Sequence, residues 1–252
     1  MNINMNPNGE LVQSAVNAPS NIEIPDNFYN EAKQFREMMM MYTCAIRTVK
    51  TKLEVLNDDL AVRNQRNPIE MIKSRVKKPS SIIEKLKRRG HPITVKSVRE
   101  NLDDVAGIRV ICSFVDDIYT VAHMLARQDD VEVLMVKDYI RCPKANGYRS
   151  YHMIIEVPVF FCDRKQKMRV EVQIRTIAMD FWASLEHKLY YKQGKVVPRQ
   201  VLIGLNQCAD LAALLDEKMQ DIRNKMKPYL SEEERAVQAA KAEDEKCMNC
   251  LE

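Results

Sequence analysis

Acidic side chains placed against β-branched runs are the first chemistry this sequence offers. In "NLDDVAGIRVI" (101–111), Asp103 and Asp104 stand just before a run that reads as a buried strand. Carboxylates at such a strand edge commonly hold a phosphate-bound Mg2+, with water and phosphate filling most of the coordination shell. Gly107 permits close backbone approach, and Arg109 adds a fork-shaped anion donor. In "VEVQIR" (170–175), strand alternation sets Glu171, Gln173 and Arg175 on one face and Val170, Val172 and Ile174 on the other. A carboxylate, an amide and a guanidinium in a row suit a site on a sheet face, and the apolar flanks favour a central strand.

Two further stretches supply cations. "SRVKKPSSIIEKLKRRG" (74–90) concentrates Arg75, Lys77, Lys78, Lys85, Lys87 and Arg88, which are charge-assisted donors for phosphate oxygens. Ser80 or Ser81 is expected to cap the helix that carries Lys85. "KDYIRCPKANGYRSYH" (137–152) mixes Lys137, Lys144 and Asn146 with Tyr139, Tyr148 and Tyr151, and ends on His152. Tyr148 can stack on a base, a contact worth roughly 1–3 kcal/mol, and His152 can donate to a phosphate or a ribose hydroxyl.

Each cluster alone has a plainer reading: a solvated helix face, a turn with ordinary aspartates, an exposed edge strand, a basic surface loop. Together they provide Asp104 and Glu171 for a metal, cations for more than one polyphosphate, and a ring for a base. That is equipment for phosphoryl-type transfer between nucleotides, where positioning and charge neutralisation supply most of the catalysis. Neither a GxxxxGK[ST] loop nor a GxGxxG loop is present, so side chains must handle the phosphates.

The elements that position these groups follow from periodicity. Segments 107–114, 131–137, 151–159 and 167–175 read as strands, and 115–128 and 176–192 as helices. A helical stripe runs from Phe28 through Phe35, Tyr42, Val49 and Leu53 to Leu60, with Asp26 as its cap, and a second runs from Val201 through Leu205, Leu215 and Ile222 to Met226. These two long helices can pack on each other or between subunits. The expected fold is α+β, a mixed sheet of about five strands with helices against it. The domain is expected over 26–230, between a polar, disordered tail (1–25) and a charged C-terminal tail (231–252).

Composition bounds the rest. The 252 residues carry 39 basic and 35 acidic side chains, a net charge of +4 that argues against bulk nucleic-acid or membrane binding. No apolar run approaches the ~20 residues that span a bilayer, and no signal peptide is visible. Seven scattered cysteines read as reduced thiols, so a cytoplasmic location is expected. The Cys247/Cys250 pair lacks the two further ligands a zinc site needs.

In order, "RVK…K", "DDVAGIRV", "KDYIRCPKANGYRSYH", "VEVQIRT" and "MDFWASLEHKLYYK" resemble the synthetase domain of RelA/SpoT-type proteins, and the length and flanking helices make the chain look most like a single-domain small alarmone synthetase. The resemblance covers about residues 45–225. It implies a fold related to polymerase-β-like nucleotidyltransferases, and transfer of the β,γ-pyrophosphate of ATP to the ribose 3′-hydroxyl of GTP or GDP, with Mg2+. By motif position it implies ATP-side roles for Arg75, Lys77, Lys85 and Arg109, and metal ligation by Asp104 and Glu171, with Glu171 also the base. Lys137, Lys144, Asn146, Tyr148, His152 and Gln173 fall on the acceptor side, and Asp180 is placed to accept from guanine N1–H and N2–H. Tyr139 and Tyr151 are left as packing residues.

None of the four histidines precedes an aspartate, so the family's HD-type hydrolase site is not expected. The family's small members also imply a homo-oligomer, a tetramer foremost, and an alarmone or single-stranded RNA regulator. Their aromatic-x-Thr signature is replaced here by Met71-Ile72-Lys73, which weighs against such activation. Two competing readings remain at this stage: a toxin-like relative acting on the tRNA 3′ end, and a non-catalytic nucleotide-binding regulator.

Overall fold

Five strands form one mixed sheet in the order β1-β2-β5-β4-β3 in the computed structural model, which describes residues 26–64, 66–191 and 198–229. The strands are β1 (Ile69–Val76), β2 (Ala106–Cys112), β3 (Glu132–Asp138), β4 (Tyr151–Phe160) and β5 (Lys165–Thr176). The helices are α1 (Asp26–Asn64), α2 (Pro79–Arg88), α3 (Val95–Asn101), α4 (Val115–Ala126), α5 (Ile177–Tyr191) and α6 (Arg199–Met226). β2 and β5 run parallel; the other neighbours are antiparallel. The expected α+β class and mixed sheet are therefore observed. The tails proposed at 1–25 and 231–252, with Cys247 and Cys250, lie outside the described residues.

Alternation divides the two faces of the sheet. Val170, Val172 and Ile174 of β5 and Ile155 and Val157 of β4 are fully buried, and they meet α1 and α4. Within the α1 stripe Tyr42, Val49, Leu53 and Leu60 lie in the core as their spacing predicts, and Phe35 is half-buried against it. The opposite face carries the polar members of each strand. β5 is central, as its apolar flanks indicated.

Three expectations are corrected or completed. β1, which in the sequence shows only as part of a basic run, is an edge strand, paired on one side and exposed along most of its length. An edge strand needs no alternating apolar face, so periodicity gave no signal. Ser80 and Ser81 do not cap α2. They lie inside its first turn, because Pro79, which has no N–H to leave unpaired, takes the first helical position after Lys78. Finally, α6 packs on α5 and α4, but of its stripe Leu215, Met219, Ile222 and Met226 are each about half exposed, at 45–54%.

Candidate active site

The register of the sheet assembles a row of polar side chains across all five strands. Lys73 pairs with Arg109, Arg109 with Gln173, Gln173 with His152, and His152 with Lys137. Directly opposed residues share a face, so these groups from β1, β2, β5, β4 and β3 line one surface. The next row holds Arg75, Gly107, Glu171 and Ile154. A Cβ at Gly107 would meet nothing nearer than 3.8 Å. The glycine therefore leaves the floor clear between Arg75 and Glu171.

Glu171 is held by neighbours on this face. Its Oε2 accepts from Gln173 Nε2 at 2.9 Å, and its Oε1 lies 3.5 Å from His152 Nδ1. Burial alone would raise its pKa, but the His152 contact, its charge and the Gln173 hydrogen bond outweigh that and hold the carboxyl below its usual range. Asp104 is near enough for its charge to oppose the shift. Gln173 Oε1 in turn accepts from Arg175 Nη2 at 2.8 Å.

Asp104 sits in the connection from α3 to β2. Lys77 Nζ from beyond β1 and Lys85 Nζ from α2 each lie 2.7 Å from its Oδ2. Burial disfavours its charge, yet the two ammonium groups prevail and lower its pKa. Its Oδ1 is buried with no hydrogen-bond partner, an orphaned acceptor of the kind a cation satisfies. Two neighbouring carboxylates, one with a free buried oxygen, beside an open floor lined with cations, fit Mg2+ that takes its other ligands from phosphate and water. No group of three potential His, Cys, Asp or Glu ligands occurs among the described residues.

The 137–152 stretch forms the far wall. Gly147 adopts φ +83°, and a Cβ there would lie 2.5 Å from Ala209 Cβ on α6. Only glycine suits both the left-handed turn and this close approach. Arg149 Nη1 ties the same turn to α6 through the Ala209 carbonyl at 3.2 Å. Lys144 Nζ lies 4.6 Å and 4.9 Å from the ring centroids of Tyr139 and Tyr148. Asn146 Nδ2 donates to Glu186 of α5 at 3.2 Å.

Apart from Asn146, whose amide turns to Glu186 of α5, the candidate residues thus fall on one sheet face or its rim, in two groups. Lys77, Lys85 and Asp104 form one. Arg109, Asp180, Gln173, Glu171, His152, Tyr148 and Lys144 form a continuous second, with Lys137 beside His152 and Arg75 in the same row as Glu171, across Gly107. Asp180 at the start of α5 is largely buried, and Lys73, Arg109 and Arg175 all donate to its carboxylate at 3.1–3.3 Å. Three residues gain a place the sequence reading did not give them. Tyr139 stands edge-on to Tyr148 and His152, so it belongs to the site wall, whereas Tyr151 packs against Tyr119 as expected. Lys73 extends the cation ladder of Arg75 and Lys77, a signal present in their i, i+2 spacing. Arg175, on the polar side of β5, is buried among Gln173, Tyr148 and Asp180.

The family model described as "Region found in RelA / SpoT proteins" matches residues 74–196. The GTP pyrophosphokinase YwaC of Bacillus subtilis is 44% identical over 201 residues, covering 80% of this chain and 96% of that protein. The GTP pyrophosphokinase YjbM of the same organism is 37% identical, covering 77% and 90%. Among solved structures, Bacillus subtilis small alarmone synthetase 1 bound to its product pppGpp superposes with a TM-score of 0.71 at 37% identity, covering 77% of this chain and 98% of that one. Small alarmone synthetase 2 of that organism gives 0.70 at 45% identity, covering 76% and 99%.

Proposed function

The chain belongs to the RelA/SpoT family, among its single-domain small alarmone synthetases, and from that membership we propose that it transfers the β,γ-pyrophosphate of ATP to the ribose 3′-hydroxyl of GTP or GDP. The observation that carries this reading is the pairing of Glu171 with Asp104 on a face otherwise rich in cations. Such a face binds two polyphosphates, and a carboxylate among them can remove a proton.

The chemistry assigns each group a task. The 3′-hydroxyl oxygen forms a bond to the β-phosphorus as the bond from that phosphorus to the bridging oxygen breaks, and AMP leaves. The hydroxyl has a high pKa, so Glu171 takes its proton as attack develops. The donors around it outweigh its burial and leave it ionised and ready to do so. Arg75, Lys77, Lys85 and Arg109 stand where ATP phosphate oxygens gather charge. Lys77 and Lys85 also keep Asp104 ionised. Asp104 and Glu171 would hold Mg2+, which neutralises and orients the transferred phosphates. On the acceptor side, Tyr148 stacks on guanine, while Lys137, Lys144, Asn146, Gln173 and His152 surround its sugar and phosphates. Asp180 reads the guanine donor edge, in competition with the three cations that now engage it.

The same reading covers assembly and setting. The half-exposed apolar residues of α6, with Phe181, Leu185 and Leu189 of α5, suit burial between subunits in a homo-oligomer, with a tetramer favoured. Lys73 at the regulatory signature is engaged on the site face by Asp180, which favours activity without an alarmone or RNA activator. No helix among the described residues is long and apolar enough to cross a membrane. The enzyme is read as cytoplasmic, synthesising alarmone without hydrolysing it.

Glu171→Gln tests the assignment. The substitution keeps the side chain's size and its ability to accept one hydrogen bond, but removes the base. Alarmone formation is expected to vanish while calorimetry shows ATP and GDP binding largely intact. Turnover at the wild-type level would sink the assignment.

A further inference from the structure

Both oxygens of the Glu171 carboxylate are engaged by side chains that lead back to one buried guanidinium, Oε2 by a hydrogen bond and Oε1 by a longer contact with His152. In the first arm, Arg175 Nη2 donates to Gln173 Oε1 at 2.8 Å, and Gln173 Nε2 donates to Glu171 Oε2 at 2.9 Å. In the second, Arg175 Nη2 donates to the Tyr148 hydroxyl at 2.5 Å, that hydroxyl lies 2.8 Å from His152 Nε2, and His152 Nδ1 faces Glu171 Oε1 at 3.5 Å.

Proton bookkeeping gives the second arm its direction. A guanidinium has donors only, so the phenolic oxygen must accept from Arg175. Its hydrogen is then free to donate to His152 Nε2. With the imidazole neutral, its proton then sits on Nδ1, the nitrogen facing the carboxylate; with the ring charged both nitrogens carry protons, and Nδ1–H faces Glu171 in either case. Two further donors of Arg175 are also engaged: Nε with Ser150 Oγ and Nη1 with Asp180 Oδ1, both at 3.3 Å. The side chain is only 4% exposed. A planar fork with five N–H donors reaches all four of these acceptors at once; the three donors of a lysine ammonium, on a single nitrogen, cannot.

We propose that Arg175 is a positioning residue that fixes the Glu171 carboxylate through these two arms, so that the hydroxyl of Tyr148, apart from its ring, is required for turnover. The proposal rests on Glu171 being the base. A carboxylate at the end of three torsions acts well only when its orientation is locked. Here both oxygens are fixed from below by residues that need not touch the transferred group.

The experiment combines kinetics with crystallography. Tyr148→Phe keeps the stacking ring and cuts the second arm. Gln173→Met cuts the first, and Arg175→Lys keeps the charge but cannot feed both. Tyr148→Phe is expected to lower kcat by about 10- to 100-fold with KM for ATP and GDP changed less than about threefold, the pattern of lost orientation and not of lost binding. Arg175→Lys should lower kcat further, and adding Tyr148→Phe to it should cost little more, because that arm is already broken. Crystal structures of the variants should show the Glu171 carboxylate turned away from Gln173 or His152 on an unchanged strand.

A Tyr148→Phe protein with wild-type kcat, a loss confined to KM, or a Glu171 carboxylate unmoved in the variants would overturn the proposal. If Arg175→Lys does not fold, the two single-arm variants decide the matter, since both retain the guanidinium. An unmodified protein that transfers no pyrophosphate would overturn the role of Glu171 as base, while the carboxylate's position in the variant crystals would still decide the wiring.

Discussion

Substituting Gly147 by alanine probes the join between the acceptor wall and α6. The backbone there has φ +83°, and the new Cβ would stand 2.5 Å from Ala209 Cβ. The left-handed conformation costs a residue with a side chain roughly 1–2 kcal/mol. Forcing a methyl group into a filled space costs about 1–3 kcal/mol more. Helix α6 cannot easily retreat: Trp182 Nε1 donates to the Leu205 carbonyl at 2.8 Å, and Thr176 Oγ1 donates to Asp216 at 2.7 Å. The turn must therefore move, and Lys144, Asn146 and Tyr148 move with it. If about 2 kcal/mol of the strain must be repeated each time the loop closes on its nucleotide, KM for GDP rises about 30-fold. KM for ATP should change less than about threefold, since Arg75, Lys77 and Lys85 lie elsewhere. The rest of the strain should lower the melting temperature by a few degrees, at about 2–4 °C per kcal/mol for a chain of this size. Initial-rate titrations of each nucleotide with a thermal melt measure both effects. Equal changes in both KM values, or no change in either KM or melting temperature, would refute the reasoning.

Two other consequences concern stability. Asp117 on α4 is almost fully buried and receives Arg66 and Arg223, so removing its charge in Asp117→Asn should destabilise the fold by about 2–4 kcal/mol, read as a lower urea midpoint. The clamp of Lys77 and Lys85 depresses the Asp104 pKa. Its stabilisation is therefore fully present above the ordinary carboxylate pKa and is lost as pH falls through the lower folded value. Lys77→Met should flatten the acid limb of the stability profile in that window.

Much of this site is legible in residue types, and less of it in their partners. Alternation in "VEVQIR" placed Glu171, Gln173 and Arg175 on one face because a strand buried on its other side enforces that period. The β-branched runs of β2 and β4 were readable for the same reason. β1 escaped because an edge strand exposed on its outer side is under no such pressure. The pairings of Arg175 with Tyr148 and of Lys77 with Asp104 depend on which strands become neighbours, and local sequence carries no record of that. Tyr139 illustrates the limit: its place beside Tyr148 and His152 follows from how the 137–152 stretch folds back, and periodicity is silent about loops. The second long stripe was readable as a helix, but its half-exposed apolar side could not be assigned to a partner from spacing alone.

The central claim is the transfer itself. Purified protein incubated with γ-labelled ATP, Mg2+ and either GDP, GTP, ATP or tRNA should pass label to GDP or GTP, giving ppGpp or pppGpp with AMP as the other product. Label in tRNA alone, or no transfer to any acceptor, would contradict the account.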